Sequence, residues 1–266
     1  MAPELQDRTR RTRPRSGTAA AIGRSLDIYY RDAARTERMD RLNAAFVPKG
    51  GLAFDIGAHV GDRTASFRRL GARVVALEPQ PRIFRALRLI HGKAPDVMLC
   101  PEAAGAQPGE IDMHVNAQNP TVSTASPELI AAAQSAPGWE GQVWDTTIRV
   151  PATTLDHLIA QHGTPDFIKI DVEGHELEVL KGLTIPVAAL SFEFTTIQRD
   201  IAQACIDHLS ALGPYEFNLS LGEDHTLRTQ DWTTAAQLKA ILTNLPHAAN
   251  SGDIYARLLW RVSVLT

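Results

Sequence analysis

Cysteine is scarce: Cys100 and Cys205 are the only two in 266 residues. Two thiols cannot build a disulfide framework or a zinc ribbon, and unpaired thiols suit a reducing, cytoplasmic compartment. No run approaches the ~18 consecutive apolar residues of a membrane helix, so a soluble chain with no membrane span is expected. Glycine (18) and proline (16) stand at ordinary frequency, which excludes collagen-like and low-complexity readings. Basic charge is not in excess. The formal net charge is −3, which argues against a nucleic-acid partner.

What is present fits one globular core. Hydrophobic residues make up 44% and charged residues 21%, and the length corresponds to between one and two domains. Residues 1–20 read as a disordered basic tail, with Arg8, Arg10, Arg11, Arg13 and Arg15 against Glu4 and Asp7. That segment has too few apolar residues to offset the entropy of ordering. No apolar segment follows the arginines, so a secretory signal is not expected.

Residues 21–266 read as one domain. Residues 24–46 form a helical lead-in. Short β-branched or apolar runs then alternate with segments of helical periodicity. Strands are expected at 52–56, 73–77, 97–100, 167–170 and 190–194, with closing strands at 217–221 and 254–259. Helices are expected at 60–70, 80–91, 176–183 and around 201–212. This alternation predicts an α/β fold: a doubly wound parallel sheet covered on both faces. Residues 104–150, rich in Gly, Pro, Ser, Asn and Gln, break the pattern and read as an inserted lid holding a hairpin at 111–115.

The sharpest local signal is Asp55-Ile56-Gly57-Ala58-His59-Val60-Gly61, where a strand meets a helix. Gly57 permits a tight turn, and Gly61 permits close approach of a backbone to ligand or strand. A dinucleotide pyrophosphate wants G-x-G-x-x-G. This turn has one glycine fewer and an acid, Asp55, at the strand end. A carboxylate there opposes a pyrophosphate but suits a cation, and S-adenosylmethionine carries an ammonium and a sulfonium. The second strand ends in Glu78-Pro79, about 20 residues beyond Gly57, a spacing at which a carboxylate accepts hydrogen bonds from two ribose hydroxyls.

FDIGAHVGD, VVALEPQP, FIKIDVEGHELEVLKG and FEF, with the terminal GDIYAR, resemble the FkbM-type family of S-adenosylmethionine-dependent methyltransferases over roughly residues 45–260. The resemblance implies a class I methyltransferase fold, a Rossmann-like sheet that is mostly parallel with an antiparallel last strand. It also implies methyl transfer to oxygen on a sugar, polyketide or related secondary metabolite, with S-adenosylhomocysteine as the other product. His59 stands where that family most often has Asn. The cofactor-binding candidates are Asp55, Gly57, Ala58, His59, Gly61, Thr64, Glu78, Pro79, Glu102, Ala103, Ser123 and Asp171. Trp139 and Trp144, in the lid, read as anchors to the core.

Methyl transfer from a sulfonium demands alignment, and an alcohol acceptor must also lose a proton. Asp171, at the end of the fourth strand, is the candidate that orients or deprotonates the acceptor hydroxyl. His175 is a rival base because histidine titrates near neutrality, and Glu193 is a candidate for binding acceptor hydroxyls. Asp171, Glu173 and Glu176 are hard-oxygen groups suited to magnesium, although the expectation is of no metal. Lys169 reads either as an ion pair holding these carboxylates or as an edge residue with a solvated tip. Two other readings stay open: an NAD-type oxidoreductase on a related fold and a non-catalytic cofactor-binding module. The oligomeric state is left open.

Overall fold

The computed structural model describes residues 17–259; residues 1–16 of the tail expected at 1–20 lie outside them. Helix α1 (Thr18–Arg31) begins inside the stretch read as tail, and α2 (Ala33–Asn43) follows at once. The lead-in is therefore two helices. Asp32 divides them: its backbone is extended, and its carboxylate accepts from the Arg35 N–H at 2.9 Å, which caps α2.

The alternating pattern then unfolds as expected. Strand β1 (Leu52–Ile56) is buried along its whole length, as a central strand covered on both faces must be. It leads into α3 (Asp62–Arg69), β2 (Arg73–Leu77), α4 (Pro81–His91) and β3 (Val97–Cys100). Residues 103–153 differ from the expected loop. They hold β4 (Ala103–Ala104), β5 (Gly109–Val115), α5 (Pro127–Ala133) and β6 (Thr146–Thr153), and the strands form a second sheet in the order β4-β6-β5. The expected hairpin strand pairs antiparallel with β6, from Val115 opposite Thr146 to Gly109 opposite Ala152. The partner is some 30 residues away, so no turn signal announces it.

Helix α6 (Leu155–His162) leads to β7 (Phe167–Ile170), α7 (Glu176–Lys181), β8 (Ala189–Thr195), α8 (Arg199–Leu212), β9 (Tyr215–Leu221), α9 (Ala235–Asn244) and β10 (Ser251–Leu258). The main sheet has seven strands in the order β3-β2-β1-β7-β8-β10-β9. Strand β10 runs antiparallel to both β8 and β9, and the other pairings are parallel. This is the class I methyltransferase topology. After β3 the chain crosses back to β7 on the other side of β1. The crevice outside the carboxyl ends of β1 and β7 is the topological switch point, where such sheets bind ligands.

An aromatic cluster ties the lead-in to the sheet. Phe167 of β7 stacks on Phe46 (centroids 5.1 Å apart) and meets Phe67 of α3 edge-on at 6.0 Å, while Phe46 also stacks on Tyr255 of β10. Phe167 is fully buried among them. Phe167→Ala is expected to cost about 3–5 kcal/mol of unfolding free energy, read by urea denaturation.

Candidate functional site

Asp55, the penultimate residue of the buried β1, lines the crevice. It is almost wholly buried, and its Oδ2 accepts from the Thr64 hydroxyl at 2.5 Å. Burial pushes its carboxyl up to about 6. The turn that follows is built on backbone geometry only glycine meets easily. Gly57 has φ 83°, and a Cβ there would stand 1.8 Å from the Asp171 carbonyl. The turn therefore lies directly on the end of β7. Gly61 plays a different part from the one expected. A Cβ at Gly61 would strike Leu87 and His91 of α4 at 2.6 Å, so this glycine admits a helix rather than a ligand.

The Gly57 and Ala58 N–H groups donate to the Leu77 carbonyl, and the His59 N–H donates to Glu78 Oε2 at 3.0 Å. The Gln80 N–H donates to Glu78 Oε1 at 2.8 Å. These two donors fix the orientation of the Glu78 carboxylate at the end of β2. Burial pushes its pKa up to about 7 against the pull of these bonds. His59 takes a left-handed backbone (φ 47°), and its ring bonds to the Ser25 hydroxyl of α1 at 2.9 Å. The lead-in thereby closes over the turn.

Lys169 sits in the central strand β7 with 2% of its surface exposed, so the edge reading is set aside. Its Nζ donates to Asp253 Oδ1 of β10 and lies 3.2 Å from Asp171 Oδ2. Burial alone would lower its pKa, but Asp171 and Asp253 outweigh it and hold the ammonium above the ordinary lysine value. The ion-pair reading stands, with Asp253 as a partner the spacing did not reveal. The pairs continue outward. Arg63 lies 3.4 Å from Asp253, and Arg35 bonds Asp62 at 2.9 Å and Glu223 at 2.6 Å. Glu223, pushed up by burial, is pulled well below the ordinary carboxylate range by His225, Arg63 and Arg35.

Beyond β7, Glu176 turns away from the crevice. Its Oε1 accepts from the Val172 and Gly174 N–H groups at 3.1 and 3.2 Å, which clamps the 172–176 turn. It therefore leaves the set of expected magnesium ligands, and Glu193 takes its place. Oxygen atoms of Asp171, Glu173 and Glu193 lie within 4.8 Å of one another. Burial, with Asp171 next, pushes Glu173 well above the carboxylate range, and burial with Glu173 does the same to Glu193. Burial lowers the pKa of His175, so its imidazole is neutral at pH 7.

These groups meet in one cleft of about 140 Å³. Asp55, Gly57, Ala58, His59, Glu78 and Pro79 line it from β1 and β2, and Glu102, Ala103 and Ser123 from the second sheet and its loop. Asp171, Glu173, His175 and Glu193 line the β7–β8 end. Gly61 and Thr64 do not reach it; Thr64 acts through Asp55. Tyr29, Arg35, Asp62, Arg63 and Glu223 line it unannounced. Their partners stand up to 190 residues away in the chain, as Arg63 and Asp253 do, and local spacing carries no trace of that. Trp139 and Trp144 are outside the lining. The Trp144 indole donates to the Val122 carbonyl at 2.7 Å, a bond within the inserted segment itself, and both tryptophans belong to a small apolar cluster that includes Leu129 and Ile197.

Residues 55–232 match the Methyltransferase FkbM domain. The chain belongs to this family. It is similar to the hexuronic acid methyltransferase AglP of Haloferax volcanii, with 26% identity over 173 residues. That match covers 64% of this chain and 66% of the relative, just under two thirds of the relative's length. Among solved structures, a precorrin-6y C5,15-methyltransferase from Geobacter metallireducens has a TM-score of 0.42 and 14% identity, covering 85% of this chain and 86% of that one. Aeropyrum pernix fibrillarin, crystallised with natively bound S-adenosyl-L-methionine, has a TM-score of 0.43 and 11% identity, covering 86% and 75%. No helix among the described residues is long and apolar enough to cross a membrane.

The buried acids predict a pH dependence. Glu176 holds its proton up to about pH 7 when folded, against 4.5 for an ordinary glutamate. Between those values the folded chain binds more protons than the unfolded one, so stability falls as pH rises. Unfolding free energy in urea should decline from about pH 5 to about pH 8. Glu176→Gln, which keeps an acceptor for both N–H groups, should flatten that slope.

Proposed function

We propose that this methyltransferase uses S-adenosylmethionine to methylate a hydroxyl group of a small molecule, a sugar, polyketide or related metabolite. The carrying observation is the Glu78 carboxylate, pinned by two backbone N–H donors at the end of β2 and facing the same cleft as the Gly57 turn. A carboxylate so fixed keeps lone pairs for a ribose diol. Asp55 and Asp171, on either side of Gly57, suit an ammonium and repel a pyrophosphate. The donor set therefore fits S-adenosylmethionine and disfavours a nicotinamide dinucleotide. A surplus of acids in the cleft is equally unsuited to a nucleic-acid backbone.

When bound, the cofactor supplies a methyl group on a sulfonium, already a good leaving group. The chain's residues would supply position and proton handling. Asp171, 3.2 Å from the Lys169 ammonium and facing the cleft, would orient the acceptor hydroxyl and take its proton. Glu193, whose burial favours the protonated form, would donate a hydrogen bond to an acceptor oxygen. His175, neutral at pH 7, is the alternative proton acceptor. The second sheet and the loop carrying Ser123 roof the cleft, the part foreseen for a lid. An oxygen acceptor accords with the FkbM resemblance and with the sugar acid in the archaeal relative's name. Because the Lys169 ammonium already supplies the cationic charge beside Asp171, the reading requires no metal.

Calorimetric titration tests the reading. S-adenosylhomocysteine should bind and NADH should not. Glu78→Ala should weaken S-adenosylhomocysteine by at least about tenfold, the loss of hydrogen bonds to a charged acceptor. Its affinity should be the same in EDTA as in magnesium. With an acceptor in hand, Asp171→Asn should lower kcat far more than it changes cofactor affinity. NADH binding, or an unaltered Glu78→Ala variant, contradicts the proposal.

A further inference from the structure

We infer that Tyr29, on the lead-in helix α1, binds the carboxylate of the cofactor's methionine end. The inference rests on the cofactor proposed above. The family match begins at residue 55, so Tyr29 lies outside it. S-adenosylmethionine brings three polar groups besides its base and sulfonium. Acids of the cleft suit two of them: Glu78 the ribose diol, and Asp55 with Asp171 the ammonium. The third, a carboxylate, is repelled by those acids and needs a donor of its own.

The cationic donors along the cleft are already taken. Arg35 is held by Asp62 and Glu223, Arg63 by Asp253, and Lys169 by Asp253 and Asp171. The hydroxyls of Tyr30 and Tyr215 are used inside the fold, on the Val60 and Val187 carbonyls at 2.9 and 2.7 Å. Tyr29 differs. Its ring is half-buried and lines the cleft. Its backbone carbonyl accepts from Arg35 Nη1 at 3.5 Å, but its hydroxyl has no hydrogen-bond partner among the described residues. A donor left free in this way gains a charge-assisted hydrogen bond from an arriving carboxylate.

The place of the ring fits the methionine end. His59, whose N–H holds Glu78, meets it edge-on with centroids 6.2 Å apart. The His59 ring bonds Ser25, one turn earlier on α1, so the phenol is tied to the glycine turn through its own helix. The buried Arg35 guanidinium lies over the ring, 4.9 Å from its centroid. It also pairs with Asp62 and Glu223, the nearby acids that would otherwise repel a carboxylate. Burial, then Glu223, Asp62, Asp171 and Glu173, raise the pKa of Tyr29 above the ordinary tyrosine value, so the hydroxyl keeps its proton and acts as a donor. The influence of Asp171 and Glu173 marks the phenol as near the end of β7, away from the ribose end that Glu78 fixes. The cofactor would then hang from α1 by its carboxylate and from β2 by its ribose, which gives the lead-in a part in its capture.

The test is a thermodynamic cycle on the full chain with S-adenosylhomocysteine and its decarboxylated analogue, which keeps the nucleoside and the amine. Affinities are measured by calorimetry, and by displacement of radiolabelled S-adenosylhomocysteine where the heat is small. Tyr29→Phe removes only the hydroxyl and keeps the ring against His59 and Arg35. It is expected to weaken S-adenosylhomocysteine about tenfold, the scale of one hydrogen bond to a charged group, and to change the analogue by less than about twofold. Tyr30→Phe removes a neighbouring hydroxyl of the same helix that bonds within the protein, and it should leave both affinities in place. An equal loss for both ligands in Tyr29→Phe overturns the inference, since the phenol then serves another group. So does an unchanged affinity for S-adenosylhomocysteine in Tyr29→Phe, or a matching loss in Tyr30→Phe, which would trace the effect to the seating of α1. In each of these cases the wild type still binds S-adenosylhomocysteine, and the cofactor assignment stands. If the wild type binds neither ligand, that assignment falls and the inference with it.

Discussion

The Lys169 ammonium, buried in the middle of the main sheet, is the interaction on which the site depends. It joins two strands that are not neighbours in the sheet. It stands on β7, donates to Asp253 of β10, and lies against Asp171 where β7 ends. A charge this deep costs several kcal/mol to desolvate unless it is paired and hydrogen-bonded. Asp171 and Asp253 supply that pairing. Asp253 in turn is held by Arg63, and Arg63 belongs to the Arg35–Glu223 group under the lead-in helices. The cleft floor is thus one connected set of ion pairs rather than a collection of separate acids.

This arrangement explains the two characters of the cleft. At the β1–β2 end, carboxylates are fixed by backbone donors and a hydroxyl: Glu78 by His59 and Gln80, Asp55 by Thr64. Such groups are pre-oriented acceptors, suited to holding a nucleoside. At the β7–β8 end, the half-buried Glu173 and Glu193 converge on Asp171, the partner of Lys169. A cleft divided in this way suits a methyl donor whose nucleoside is held at one end while the reacting groups meet at the other.

The sheet and its switch point were legible in the sequence because they are encoded locally. Leu52–Ile56 and Arg73–Leu77 read as strands from composition alone, and the acid–glycine turn and Glu78 sit at strand ends that the alternation predicts. Three things were hidden. Asp32 breaks the lead-in through its extended backbone and its cap on Arg35, with no glycine or proline beside it to mark the break. The second sheet pairs β5 with a strand about 30 residues on, past α5. Arg35, Arg63, Glu223 and Asp253 come together only in the folded chain. One signal was present and unread: Thr234 and Gln237 form a capping box that opens α9. Glu176 was misplaced for a different reason. Its neighbourhood in sequence matches that of Asp171 and Glu173, but a helix begins there and turns its carboxylate back onto the Val172 and Gly174 amides.

A double-mutant cycle at Lys169 and Asp253 tests the central claim most directly. Unfolding free energies by urea would be measured for the wild type, Lys169→Met, Asp253→Asn and the double variant. The account predicts that each single change is strongly destabilising, by about 3–5 kcal/mol for the lysine, because a buried partner is left uncompensated. The double variant should be far less destabilised than the sum, with a coupling of at least about 2 kcal/mol. Additivity within about 0.5 kcal/mol would contradict it, and the ion pair could then no longer be regarded as the element that organises the cleft.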